Sequence, residues 1–179
     1  AQYLSKVEQG YYYTFGSILA IQVFFELGLN GIITQYVAHE VSHLIQKGNL
    51  YEGEEVHLSR VASLLHFTVK WFSTLAVFAF VFLLMVGYVF FNYYYKSDAI
   101  VDWFFPWLLL SLGTTLFFLF SPIMAFIEGL GKVKEVAKIR MITQIFSLLL
   151  LWTGLALGLK LYVGGISSII FILILFFFI

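Results

Sequence analysis

The chain has 179 residues, 61% of them hydrophobic and 11% charged, with a mean hydropathy of +0.95. Soluble proteins average about 45–50% apolar and about 25% charged, and ten basic residues here cancel ten acidic ones, so no global field points to nucleic acid. The absence of cysteine excludes disulfides, thiolate metal sites and cysteine nucleophiles.

The sequence opens at Ala1 without a Met, a basic n-region or a cleavage site, so no signal peptide is read. It closes inside the apolar run Ile166 to Ile179, shorter than the ~20 residues a span needs. The expectation is an internal piece of a larger membrane protein.

Five hydrophobic segments predict an all-α, polytopic transmembrane helical bundle. They run near 11–38, 71–91, 103–127, 141–159 and 164–179. The first carries Gln22, Glu26, Asn30 and Thr34 at four-residue spacing, one stripe of a single helix. A carboxylate inside a membrane helix costs roughly 2.5–3.5 kcal/mol on insertion scales, so it faces a bundle interior or a wet cavity. The stripe is therefore the candidate transport pathway. Its rival is interhelical hydrogen-bond glue, which Gly28 and Gly31 would support by permitting close packing.

Residues 39–70 form the longest polar stretch and are expected as a cytoplasmic loop. Gly48 and Gly53 break its first part, whereas Val61, Leu64, Leu65 and Thr68 follow helical spacing. That second part reads as a surface helix or an extension of the second span. His39, Glu40 and His43 match H-E-x-x-H, an alternative zinc site in which two imidazoles bind the metal and the carboxylate activates water. A third ligand would come from Glu52, Glu54, Glu55 or His57. The competing reading is a chance match among polar residues at a helix end.

Tyr93, Tyr94 and Tyr95 close the second span, Trp103 and Trp107 open the third, and Tyr11, Tyr12 and Tyr13 open the first. All read as one interfacial aromatic belt. Pro122 is expected to bend the third span, and Pro106 sits near its first turn. Ser111, Thr114 and Thr115 there, with Thr143, Gln144 and Ser147 in the fourth, supply polar groups for packing or for a cavity.

Residues 128–140 are expected as a second cytoplasmic loop, with glycines that end one helix and start another. Its Lys132, Lys134, Lys138 and Arg140 are a positive-inside anchor or a contact for an anionic headgroup. Lys47, Arg60 and Lys70 lie on the same side, against Lys6, Lys96 and Lys160 on the other. Seven against three places both basic loops in the cytoplasm and the N-terminal stub outside, which implies a preceding helix. No paired carboxylates, nucleophile elbow, phosphate loop or dinucleotide fingerprint is present, so no enzyme and no cofactor is expected.

Two segments carry a family resemblance. Val7-Glu8-Gln9-Gly10-Tyr11-Tyr12-Tyr13-Thr14-Phe15, followed by Phe25-Glu26-Leu27-Gly28-Leu29, resembles the second transmembrane helix of O-antigen-type polysaccharide flippases. These belong to the multidrug/oligosaccharidyl-lipid/polysaccharide exporter superfamily. Ile127-Glu128-Gly129-Leu130-Gly131-Lys132 resembles the short link after their fourth helix. The resemblance implies part of the N-terminal lobe of a transporter with twelve or more helices, in the bacterial inner membrane. It also implies alternating-access translocation of an undecaprenyl-diphosphate-linked oligosaccharide for surface polysaccharide assembly, with H⁺ or Na⁺ as a possible coupling cation. Cationic cavity residues are then expected to meet the diphosphate, yet the first span holds no Lys or Arg. The alternatives are a drug or cation antiporter of the same superfamily and a membrane-embedded zinc metalloprotease.

Overall fold

A computed structural model of the chain describes residues 3–22, 28–48, 50–94 and 101–178. Among these residues six α-helices form: α1 Lys6–Leu19, α2 Leu29–Val41, α3 Glu55–Val89, α4 Phe104–Gly129, α5 Val133–Ala156 and α6 Tyr162–Phe178. A two-stranded antiparallel hairpin, β1 Ile45–Lys47 and β2 Leu50–Glu52, joins α2 to α3. A π-helical turn, Phe90–Tyr94, extends α3. The α3 rod with its π turn, α4 and α5 are each long and apolar enough to cross a membrane, and α6 is a shorter apolar helix.

The first expected span is not one helix. α1 ends at its C-cap Ala20, and α2 starts after Gly28, whose φ of 73° lies in the left-handed region. Non-glycine residues pay for that conformation with a clash at Cβ, so glycine occurs where the chain turns. α1 opens on a capping box, in which the Ser5 hydroxyl accepts from Glu8 N–H and the Glu8 carboxylate accepts from Ser5 N–H.

The two polar loops are shorter than expected. α2 continues through Val41 and α3 begins at Glu55, so residues 39–70 contain a hairpin and the first turns of a long helix. The extension reading of the 56–70 segment holds: Val61, Leu64 and Leu65 pack inward and Thr68 is buried. Likewise only Leu130, Gly131 and Lys132 separate α4 from α5, because the basic residues from Lys134 to Arg140 occupy α5's first turns. α4 runs continuously through Pro122.

α4 is the central post. It packs along α2, α3 and α6, while α5 packs chiefly on α6. Phe72, Phe118, Val37, Ile33 and Phe126 fill the core at the hairpin end. At the opposite end Tyr11, Phe15, Phe91 and Trp107 form a second core. Trp107 is 1% exposed and donates its indole N–H to Leu83 O over 3.2 Å. Tyr11 stacks on Phe91 at 5.3 Å. The aromatic belt is thus divided: Tyr11 and Trp107 are core residues, whereas Tyr12, Tyr13 and Tyr93 are exposed.

Close helix approach occurs at other glycines than expected. A Cβ on Gly28 or Gly31 would meet nothing within 4 Å. On Gly113 it would lie 2.4 Å from Ser168 Cβ, and on Gly129 2.8 Å from Thr34 O. Gly113→Ala is therefore expected to lower the thermal unfolding midpoint in detergent by roughly 3–10 °C, the cost of overpacking a fitted seam. Gly31→Ala is expected to leave the midpoint unchanged or raise it, since alanine favours the helix by up to about 1 kcal/mol. Equal midpoints for the two variants would refute the α4–α6 seam.

Candidate functional site: a polar crevice beside the central helix

Because α5 leans on α6 more than on α4, a crevice opens between α4, α5 and α6. Same-face spacing brings its lining together: Gly113, Thr114, Phe117 and Ser121 on α4; Arg140, Gln144 and Ser147 on α5; Ser167, Ser168 and Phe171 on α6. Two adjoining cavities of about 290 and 280 Å³ share Phe117, Gln144 and Phe171. Gln22 completes the first and Arg140 lines the second. Hydroxyls and amides thus stand midway along apolar helices, with a guanidinium towards the hairpin end.

The hydrogen bonds show which groups are spent on structure. Ser167 and Ser168 both donate to Gly164 O, at 3.0 and 2.8 Å, which leaves their oxygens free to accept. Gln22 Oε1 is buried and has no hydrogen-bond partner among the described residues. A buried acceptor left unmatched costs roughly 1–3 kcal/mol, so the crevice favours an occupant that donates a hydrogen bond. Thr143 and Thr115 return their hydroxyls to carbonyls of their own helices and are packing residues. Ser111 is also fully buried.

The expected stripe divides. Gln22 lies in the crevice, but Asn30 and Thr34 sit on α2 across the helix break. Asn30 Nδ2 donates to Ser121 Oγ over 2.7 Å, and Thr34 Oγ1 donates to Ala125 O over 3.0 Å. Both bonds tie α2 to α4, the glue reading, although Ser121 carries Asn30 to the crevice wall. Glu26 lies outside the described residues. All four basic residues in 128–140 (Lys132, Lys134, Lys138 and Arg140) are exposed, and of them Arg140 lines the crevice. Arg140, Gln144 and Ser147 recur at helical spacing, a signal visible in the sequence; Ser121, Ser167 and Ser168 gave none.

The H-E-x-x-H residues form a different arrangement. Glu40, with its side chain 4% exposed, lies 2.7 Å from His57 Nδ1, 3.5 Å from Arg60 and 3.7 Å from His39. His43 stacks on His57 with ring centroids 4.5 Å apart. Among the described residues no three ligating side chains converge on a point that could hold a metal ion. The Glu40 carboxylate is instead a post that ties α2 to α3. The hydrogen bond with His57 is the main cause that holds its pKa below the ordinary carboxyl value, outweighing burial, with help from the charge of Arg60.

Compared with protein-family models, with curated proteins and with solved structures, the chain matches none.

A folded-state pKa below the unfolded one means that Glu40 stabilises the fold fully above the unfolded carboxyl range and loses this as pH falls through the folded value. As pH falls from about 5 through the carboxyl range, the unfolding midpoint of the protein is therefore expected to drop more steeply than that of Glu40→Gln. Parallel curves would remove Glu40 from the fold's acid sensitivity. Metal analysis checks the zinc alternative: stoichiometric zinc, lost in His39→Ala, would restore it.

Proposed function

We propose that this chain forms one wall of the path by which an undecaprenyl-diphosphate-linked oligosaccharide crosses the bacterial inner membrane by alternating access. The observation that carries the reading is the lining of the crevice. Arg140 stands at the hairpin end, the end assigned to the cytoplasm by its basic residues, and Gln144, Ser147, Thr114, Ser167 and Ser168 continue from it along the helices. A diphosphate pairs with a guanidinium through charge-assisted hydrogen bonds. Sugar hydroxyls both donate and accept, which matches amides and hydroxyls, and Gln22 Oε1 awaits a donor. Arg140 thus supplies the cation that the first span lacks.

A drug or cation antiporter would instead be read from an unpaired carboxylate in the cavity; the described residues lining the two cavities include no carboxylate, and Glu128 beside them is paired with Arg140. This favours the anionic, glycan-bearing substrate. Neutral polar groups on three helices also leave the substrate weakly held, as transport requires, since each such hydrogen bond contributes only about 0.5–1.5 kcal/mol net.

The test is complementation in a bacterium lacking its own surface-polysaccharide flippase, using the full-length gene. Arg140→Gln is expected to cut export at least tenfold, and Gln144→Leu several-fold, at unchanged membrane abundance. Export at the wild-type level in Arg140→Gln would overturn the reading.

A further inference from the structure

Arg140 is not bare. Its Nη2 lies 3.1 Å from Glu128 Oε2, with the Arg140 side chain 54% and the Glu128 side chain 24% exposed. The two come from different helices, Glu128 from the end of α4 and Arg140 from α5. Glu128 stands on a fixed frame. Gly129 beside it is pressed on Thr34 and Val37 of α2, and the Leu130 carbonyl accepts the Tyr51 hydroxyl of the hairpin over 2.6 Å. Arg140 stands on α5, which is seated less on α4 than α2, α3 or α6.

We infer that Glu128 is a displaceable counter-ion: it occupies Arg140 while the crevice is empty and gives way to the phosphate group of an incoming anion. The pair meets through a single N–O contact, whereas a phosphate can take the guanidinium fork with two parallel bonds. A solvent-accessible ion pair contributes little net stability, so the exchange costs little. Once displaced, the Glu128 carboxylate repels the bound anion and hastens its release. Glu128 would thus limit affinity in order to permit turnover. The inference rests on Arg140 meeting an anion, as proposed above, and adds a role for a residue outside that contact.

The experiment uses the full-length protein in phosphatidylcholine nanodiscs, titrated with dihexanoyl phosphatidic acid and, separately, with inorganic phosphate. Glu128→Gln is expected to bind the phosphatidic acid about two- to fivefold more tightly than wild type, the factor that corresponds to losing one exposed ionic competitor. Glu128→Asp, which keeps the charge, is expected to show no gain, and Arg140→Gln to lose binding. If inorganic phosphate reproduces the Glu128→Gln gain, the anion is recognised as free phosphate; if only the lipid does, as a headgroup. Either result supports the counter-ion.

Affinity unchanged or weakened in Glu128→Gln, with the variant folded by circular dichroism, would overturn it. Glu128→Ala repeats the measurement should the glutamine variant fail to fold. The two readings fail separately. Loss of export in Arg140→Gln without tighter binding in Glu128→Gln defeats only the counter-ion. Tighter binding in Glu128→Gln with full export in Arg140→Gln defeats only the flippase.

Discussion

The bundle depends on how closely α4 can approach its neighbours. Apolar side chains gain little by leaving lipid for another helix, so helices in a membrane associate through fitted packing and hydrogen bonds. α4 uses both. Gly113 admits Ser168, Gly129 admits Thr34 and Val37, and the Asn30–Ser121 and Thr34–Ala125 bonds fasten the α2 side. With three neighbours seated this closely, α5 is left to lean on α6, and the crevice is the space between α5 and α4 that remains. The polar lining and the fitted seams are therefore two results of one arrangement of small residues.

Hydropathy located the second, third and fourth apolar segments well, because burial in a uniform apolar medium needs little beyond length and composition. It misjudged the first. A left-handed turn at Gly28 has no hydropathic signature, and the same glycine reads equally well as a packing residue. Polar loops were drawn too long for a related reason. Helices extend past the apolar zone as soon as charged residues can be solvated, so the basic run Lys134 to Arg140 is helix rather than loop. The aromatic belt was half legible: Tyr12, Tyr13 and Tyr93 are exposed, but Tyr11 and Trp107 meet partners from distant segments that no local pattern reveals.

For the site, residue types were legible and faces were not. Thr114, Gln144 and Ser147 were recognisable as polar groups in apolar helices, yet Thr115 and Thr143, one position away, point into packing. Only the helix orientation separates them. Arg140 shares a basic run with three lysines, and its distinct position follows from the rotation of α5 against α4. The H-E-x-x-H pattern shows the converse. Its residues do cluster, but His57 and Arg60, from a different helix, convert the carboxylate into a structural tie.

One feature of α3 bears on stiffness. Its 35 residues, Glu55 to Val89, span about 52 Å at 1.5 Å per residue, well beyond a hydrocarbon core of about 30 Å. Between Glu55 and Val86 it contains neither proline nor glycine, so it has none of the usual sites for a sharp kink. It is a stiff rod held along α4 from the Phe72–Phe118 contact to the bond that Trp107 donates to Leu83 O, so its two ends keep a fixed relation to each other. At the hairpin end Glu40 ties it to α2, and Tyr51 of the hairpin donates to Leu130 O in the link that follows Glu128, so the stiff rod also fixes the frame on which Glu128 stands.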